Sequence, residues 1–496
     1  MMQAGKVYLV GAGPGDIGLI TVKGLEAIQK ADVILYDRLA NPKLLDFAKQ
    51  DAELIYCGKL PNRHILRQEA INALLVEKAS EGKLVTRLKG GDPSVFGRVG
   101  EEAEALADAG IQYDIVPGIT SGIAAAAYAG IPVTHREYGN SFAVVTAHDK
   151  SKNGQPSIDW EGLVRGIDTV AFYMGVANLP YICENMIKHG KSPQTPVILI
   201  QWGTFGRQKT LQGTLETIAE LVQREKFTNP AITLVGDIVA IREKIQWFEK
   251  KPLYGRQILL ARTTEGNSTL AKQLSDEGAD VIEFPKWKQT KTSIEASKLA
   301  TVVDYDKILF TSPNSVQHFF EQLLDAQLDI RSIKAELYGV SSKSVAALKG
   351  KGLLAKLAVD MEKQGSLLIV GDDTIEQNEI YYTYEYGTHD TLITSKKQVD
   401  EAYFPIFLRM LEEAAIDTIV LPSSASVSTL YEGLKGCGID KNDFFNNKKV
   451  ICMGQQTRMM AELNQVSIST TLAYPTAATL IECLTTTREA QLVSLS

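Results

Sequence analysis

Leu88-Lys89-Gly90-Gly91-Asp92-Pro93 is the stretch on which the reading of the fold turns. Arg87, Leu88 and Lys89 close a strand that the apolar Leu84 and Val85 begin. Gly90 and Gly91 allow a turn where a side chain would collide, and Pro93 fixes the exit. Taken singly, Gly-Gly-Asp-Pro is an ordinary tight turn. It has two companions. Val10-Gly11-Ala12-Gly13-Pro14-Gly15-Asp16 follows an apolar strand at 6–10, and Val116-Pro117-Gly118-Ile119-Thr120-Ser121-Gly122 follows another. Three glycine turns after three strands read as one ligand crevice at the carboxyl ends of an open α/β sheet. The first turn is not a dinucleotide fingerprint, which needs Gly-x-Gly-x-x-Gly. Its third glycine comes one residue early, at Gly15, and Pro14 removes a backbone donor that a pyrophosphate would use.

The chain has 496 residues, room for roughly three domains of about 150 residues. Its 45% hydrophobic and 22% charged content is that of a globular protein. A net charge of −7 argues against general nucleic-acid binding. Cys57, Cys183, Cys437, Cys452 and Cys483 form no Cys-x-x-Cys pair, so neither a metal site nor a disulfide framework is expected. The reduced cytoplasm is the expected location. No apolar run approaches the roughly 18 residues of a membrane span, and no signal peptide is visible before the first strand.

Two halves are expected to meet near residue 250. Lys250-Lys251-Pro252-Leu253-Tyr254-Gly255 reads as a linker before a new strand at 257–261. In the first half, helices are expected at 67–81, 100–109 and 120–129, with a polar break at 151–156. The second half is internally similar. Phe310-Thr311-Ser312-Pro313-Asn314-Ser315-Val316 matches Leu421-Pro422-Ser423-Ser424-Ala425-Ser426-Val427, and 338–344 matches 451–457 in the same way. Each is an apolar strand running into a hydroxyl-rich helix start, so two similar α/β lobes are expected. Hydroxyls there serve as helix caps, or together as an anion-binding surface.

Further motifs of the first half lie in order along the chain. They are Leu35-Tyr36-Asp37-Arg38-Leu39, Gly58-Lys59, 87–98, Ala127-Tyr128-Ala129-Gly130-Ile131-Pro132, Thr134-His135-Arg136, Tyr173-Met174-Gly175, Trp202-Gly203-Thr204 and Val235-Gly236. With the three glycine turns, they make residues 5–248 resemble the uroporphyrinogen-III C-methyltransferases of the tetrapyrrole methylase family. The resemblance implies two α/β domains, about 1–136 and 137–250, with the cofactor between them, in a homodimer. It implies two methyl transfers from S-adenosylmethionine to carbons of uroporphyrinogen III, giving precorrin-2 and S-adenosylhomocysteine. It places the cofactor on Pro14, Gly90, Gly91, Asp92, Val95, Thr120, Ser121, Met174 and Gly203, and makes Asp37 and Lys59 proton acceptor and donor. Taken alone, Asp37 reads as a strand-end residue and Lys59 as a solvated amine. Arg38, Arg98, His135 and Arg136 are candidates for holding the substrate's carboxylates, because guanidinium forks suit them. The chain departs from the family at residues 60–64, Val99 and Ala147.

Residues 255–490 resemble the uroporphyrinogen-III synthases through Ala261-Arg262, Phe310-Thr311-Ser312-Pro313, 423–427, 454–457 and Tyr474-Pro475-Thr476. This implies a two-lobed α/β fold that cyclises hydroxymethylbilane without cofactor or metal. The chain would cross between lobes near 284–290 and 381–386, with lobe A at 255–284 plus 387–496 and lobe B at 290–380. By the resemblance Tyr384 aligns with a tyrosine at the second crossing, where a phenol can help the hydroxyl leave; taken alone it reads equally as a packed hinge tyrosine. Arg262, Ser312, Ser424 and Thr457 are the substrate-binding candidates. Residues 371–381 leave little room for the family's full helix and strand, so lobe B reads as trimmed. The expectation is an α/β chain, a two-domain tetrapyrrole methylase fold followed by a two-lobed synthase-like fold, acting on small-molecule tetrapyrroles and not on nucleic acid or membranes. The alternative is a methyltransferase whose C-terminal half binds tetrapyrrole without catalysis.

Overall fold

The structure is a computed structural model, and it describes residues 5–58, 67–148, 156–266 and 268–493. Four sheets organise the chain. The first is wholly parallel, in the order Glu53–Tyr56, Val33–Tyr36, Leu84–Lys89, Lys6–Gly11, Gln112–Val116. Val33–Tyr36 is buried along its whole length, as a strand covered on both faces must be. The last three strands are neighbours, so the three glycine turns that follow them lie side by side. Helices form at Gln68–Ser80, Val99–Asp108 and Ser121–Tyr128, within a residue or two of expectation.

The second sheet runs Phe142–Thr146, Thr169–Tyr173, Ala231–Val235, Pro196–Gln201, Lys209–Thr214. Its first pair is parallel and the others antiparallel.

The second half supplies two more sheets. One is parallel, in the order Asp280–Phe284, Gln257–Ala261, Thr418–Leu421, Lys449–Cys452, Thr470–Thr471. The other runs Trp287–Lys291, Asp390–Val399, Leu367–Asp372, Lys307–Phe310, Glu336–Gly339, Ala355–Leu357, with only its first pair antiparallel. The internal similarity has a local cause. Helices Pro313–Asp325 and Ser424–Gly436 each begin with a reciprocal capping box, Ser312 with Ser315 and Ser423 with Ser426.

Two expectations are corrected here. The return crossing is not at the tyrosine cluster. Tyr381, Tyr382 and Tyr384 belong to the helix Glu379–Tyr386, and Asp390–Val399 then adds to the same sheet, burying Leu392, Thr394 and Ser395. Residues 387–403, expected in lobe A, thus belong with the unit that spans 285–403. The helix and strand thought trimmed are these two elements. Nor is 250–255 an open linker. Leu253 is fully buried in the core with Ile258, Leu274 and Val281, and the Tyr254 hydroxyl donates to the Gln208 carbonyl.

The chain divides into two compact units. One comprises the described residues up to Arg262, Gly266–Phe284 and the chain from Phe404 onward; the other comprises Thr263–Glu265 and Pro285–Tyr403. Within the first unit, the methylase-like half and the Gln257–Ala261 sheet pack tightly at Gly206. A Cβ there would lie 2.3 Å from the Asp280 nitrogen and 2.4 Å from the Ala279 carbonyl carbon. No helix among the described residues is long and apolar enough to cross a membrane.

Gly206→Ala should force backbone apart at this seam, a strain of about 1–3 kcal/mol. Limited proteolysis is expected to cut faster around Lys250 and Lys251, and the chain to unfold at lower urea; unchanged cleavage would contradict the packing.

Candidate active site

The three turns are joined main chain to main chain. Gly91 N donates to Gly13 O at 2.8 Å, Gly13 N to Gly91 O at 3.2 Å, and Ala12 N to Lys89 O at 2.7 Å. Asp92 ties in the third turn, accepting from Gly118 N at 2.9 Å while its other oxygen caps Ser94 N at 2.7 Å. Glycine is required at this meeting. A Cβ on Gly118 would sit 2.4 Å from the Gly91 carbonyl oxygen, and one on Gly11 2.6 Å from the Gly118 Cα. Gly91 differs. It has φ +71° and its Cβ would meet nothing nearer than 3.9 Å, so the turn leaves open the space a ligand would fill.

That space is a cavity of 720 Å³, within the range of small-molecule sites. The expected cofactor residues Pro14, Gly90, Gly91, Asp92, Val95, Thr120, Ser121, Met174 and Gly203 all line it, as do Asp37, Arg38 and Arg98. Sequence reasoning assigned no role to Phe96, Tyr173 or Trp202 in its wall. The Tyr173 hydroxyl bonds the Thr120 hydroxyl at 2.6 Å and accepts from Gly122 N at 2.5 Å, joining the second sheet to the third glycine turn. Phe96, Arg98, Met174 and Trp202 all have φ between 49° and 57°. A left-handed non-glycine residue is strained by about 1–3 kcal/mol, and here four such residues aim side chains at one cavity.

His135 and Arg136 are not in the cavity wall; His135 faces its own turn, where Nδ1 accepts from Glu137 N at 3.1 Å. Lys59 lies outside the described residues.

A row of charges runs along and behind this wall. Arg87 Nη2 donates to Asp37 Oδ1 at 2.6 Å and Arg87 Nε to Glu102 Oε1 at 3.1 Å; Lys89 Nζ donates to the same Glu102 oxygen at 2.7 Å. The Glu102 side chain is fully buried and that of Arg87 2% exposed. Burial alone would weaken the Arg87 cation, yet Asp37 and Glu102 outweigh it and hold its pKa above the ordinary value. Lys89 is pulled below its ordinary value by burial and by Arg87, with Glu102 opposing. Two carboxylates and two cations alternate, with Asp37, Arg87 and Lys89 at the cavity wall and Asp37 against a permanent cation.

The second-half candidates are divided over the two units. Arg262 is locked inside its lobe, with Nη1 donating to Glu283 at 2.6 Å and Nη2 to the Gly266 carbonyl at 2.9 Å. Ser312 caps its helix, Ser424 is the first residue after the Ser423 cap, and Thr457 is buried within the helix Gln455–Leu463. Tyr384 is 82% exposed. The structure adds Glu265, which accepts from Asn314 Nδ2 at 3.0 Å. Burial pushes its carboxyl up to about 7, against Lys397 and with Asp372. Within Thr-Thr-Glu-Gly nothing in the sequence marks it.

A family model described as tetrapyrrole (corrin/porphyrin) methylases matches residues 6–219, and one described as uroporphyrinogen-III synthase HemD matches residues 268–482. A uroporphyrinogen-III C-methyltransferase of Bacillus subtilis (strain 168) is 47% identical over 458 residues, 92% of this chain and 93% of that protein. A uroporphyrinogen-III C-methyltransferase of Priestia megaterium is 64% identical over 235 residues, 47% of this chain and 98% of that protein. The porphyrin biosynthesis protein HemD of Ruminiclostridium josui is 38% identical over 384 residues, 76% of each.

Glu102→Ala should destabilise the first unit by about 3–5 kcal/mol, because it leaves Arg87 and Lys89 buried without their shared anion. Urea unfolding read by tryptophan fluorescence measures this; a loss below about 1 kcal/mol would mean that the row is not held together by Glu102.

Proposed function

Because this chain belongs to the tetrapyrrole methylase family and carries a uroporphyrinogen-III synthase domain of the HemD type behind its methylase half, we propose that it makes and methylates one tetrapyrrole. The first half transfers two methyl groups from S-adenosylmethionine to carbons of uroporphyrinogen III, giving precorrin-2. The second half cyclises hydroxymethylbilane to uroporphyrinogen III, with no cofactor. Paired methylase halves in a homodimer are part of the same reading.

The observation that carries it is Asp37 at the wall of the glycine-turn cavity, held by Arg87. The residues present fit S-adenosylmethionine. Gly91 leaves the room that a Cβ would fill, Thr120 and Ser121 present hydroxyls, and Val95, Phe96, Met174 and Trp202 give apolar walls. When bound, that cofactor supplies a methyl already activated on a sulfonium. The protein's work is then alignment and proton removal. The cavity holds the acceptor carbon in line with the methyl, which converts a bimolecular encounter into an oriented one. The methylated ring must lose a proton, and Asp37 takes it onto its carboxylate. Arg87 fixes that carboxylate in orientation until then. Arg38 and Arg98 offer guanidinium groups to substrate carboxylates at the cavity wall.

A second reading keeps the methyltransferase and makes the C-terminal half a tetrapyrrole-binding domain without chemistry. The internal commitments of Arg262 and Ser312, and the exposure of Tyr384, favour it.

Asp37→Asn should fold and bind S-adenosylmethionine in calorimetry yet methylate at least about 100-fold more slowly; near-normal turnover would reduce Asp37 to a partner for Arg87. The full chain given hydroxymethylbilane without S-adenosylmethionine should yield the III isomer, whereas spontaneous closure gives the I isomer. Formation of the I isomer alone would select the second reading.

A further inference from the structure

Helix Phe404–Glu413 belongs to the synthase-like half in sequence but packs within the first unit. Phe407 stacks on Phe284 with ring centroids 3.6 Å apart. Two residues further on, the guanidinium of Arg409 lies 4.5 Å from the Tyr56 ring centroid and 5.1 Å from that of Tyr36, the last residues of two methylase strands. Four residues later, Glu413 follows on the same face. Its Oε1 is 3.5 Å from Arg38 Nε and its Oε2 3.7 Å from Arg207 Nη2. Arg207 is itself held by Asp280 at 2.9 Å and lies over the rings of Trp202 and Phe205.

Among the described residues three arginines line the methylation cavity: Arg38, Arg87 and Arg98. Arg87 is enclosed between Asp37 and Glu102. Arg98 makes two short bonds to Glu101, at 2.7 and 2.6 Å. Arg38 is half exposed, and its ion pair with Glu413 is long. A substrate carboxylate can therefore take Arg38 from its partner more readily than it can take the other two. Glu413 does not lose all compensation when that happens, since Arg207 and Arg409 remain beside it.

We propose that Glu413 is a positioning residue of the methylation site contributed by the synthase-like half, occupying Arg38 until a carboxylate of the incoming tetrapyrrole replaces it. The inference rests on the reading that this cavity methylates a tetrapyrrole. Glu413 then acts as a built-in competitor, a carboxylate of the chain standing where one of the substrate's will go. Its removal strengthens substrate binding without touching the methyl donor.

The test is steady-state methylation by the full chain with uroporphyrinogen III varied. A long ion pair with a half-exposed arginine is weak, so Glu413→Gln should lower KM by about two- to fivefold, with kcat and the calorimetric affinity for S-adenosylmethionine unchanged. Arg38→Gln should raise KM, and in that background Glu413→Gln should have no further effect. Glu413→Asp, which keeps the charge but shortens its reach, should fall between parent and Gln, and it serves if Gln disturbs folding. A KM that rises in Glu413→Gln, or that falls equally with and without Arg38, overturns the proposal, as does a KM indifferent to Arg38. A chain that does not methylate uroporphyrinogen III at all would overturn the functional reading and this inference with it, whereas methylation with a KM indifferent to Glu413 overturns the inference alone.

Discussion

The approach of Gly11, Gly91 and Gly118 at backbone distance is the constraint on which the first half depends. Three neighbouring parallel strands end together, and their turns can share one small volume only if none carries a Cβ pointing at the others. The hydrogen bonds between Gly13 and Gly91, and from Gly118 to Asp92, follow from that proximity. So does the position of Ser121–Tyr128, whose first turn is pinned through Gly122 to Tyr173 of the second sheet. The cavity is the space left over once main chain has packed on main chain, and its shape is set before any large side chain enters it.

Charge is managed differently from shape. The alternation of Asp37, Arg87, Glu102 and Lys89 places three ionisable groups, Arg87, Glu102 and Lys89, where water is largely excluded, with Asp37 partly exposed at the end. Such groups are tolerable only in mutual compensation. Arg87 Nη1 and Glu102 Oε2 are buried without a protein partner, so the compensation is by charge more than by complete hydrogen bonding. The arrangement holds a carboxylate in a fixed orientation at a cavity wall.

The glycine turns and Asp37 were legible in the sequence because backbone freedom and strand ends leave residue-type signatures. Phe96, Met174 and Trp202 were not legible as a set. Their left-handed backbone is imposed by the surrounding packing, and none of these residue types announces it. Glu101 and Glu102 look alike as acidic residues in a helix's first turn, yet one pairs with exposed Arg98 and the other is sealed under Arg87. The tyrosine-rich run 381–386 has the composition of a strand or a crossing, and tertiary context makes it a helix. Lys250-Lys251-Pro252-Leu253-Tyr254-Gly255 has linker composition, and one leucine turns it into core.

The burial of Leu253 and the close contact at Gly206 mean that inheritance and cooperativity divide this chain differently. By family match the boundary falls between residues 219 and 268. By packing, the sheet around Gln257–Ala261 coheres with the methylase half, while Pro285–Tyr403 coheres with itself. Heat should respect the second division. A calorimetric trace of the whole protein would resolve a large transition that includes both ends of the described chain and a smaller one from residues 285–403, so that an interior segment melts as the independent body and the junction between the two family matches leaves no mark on the heat capacity.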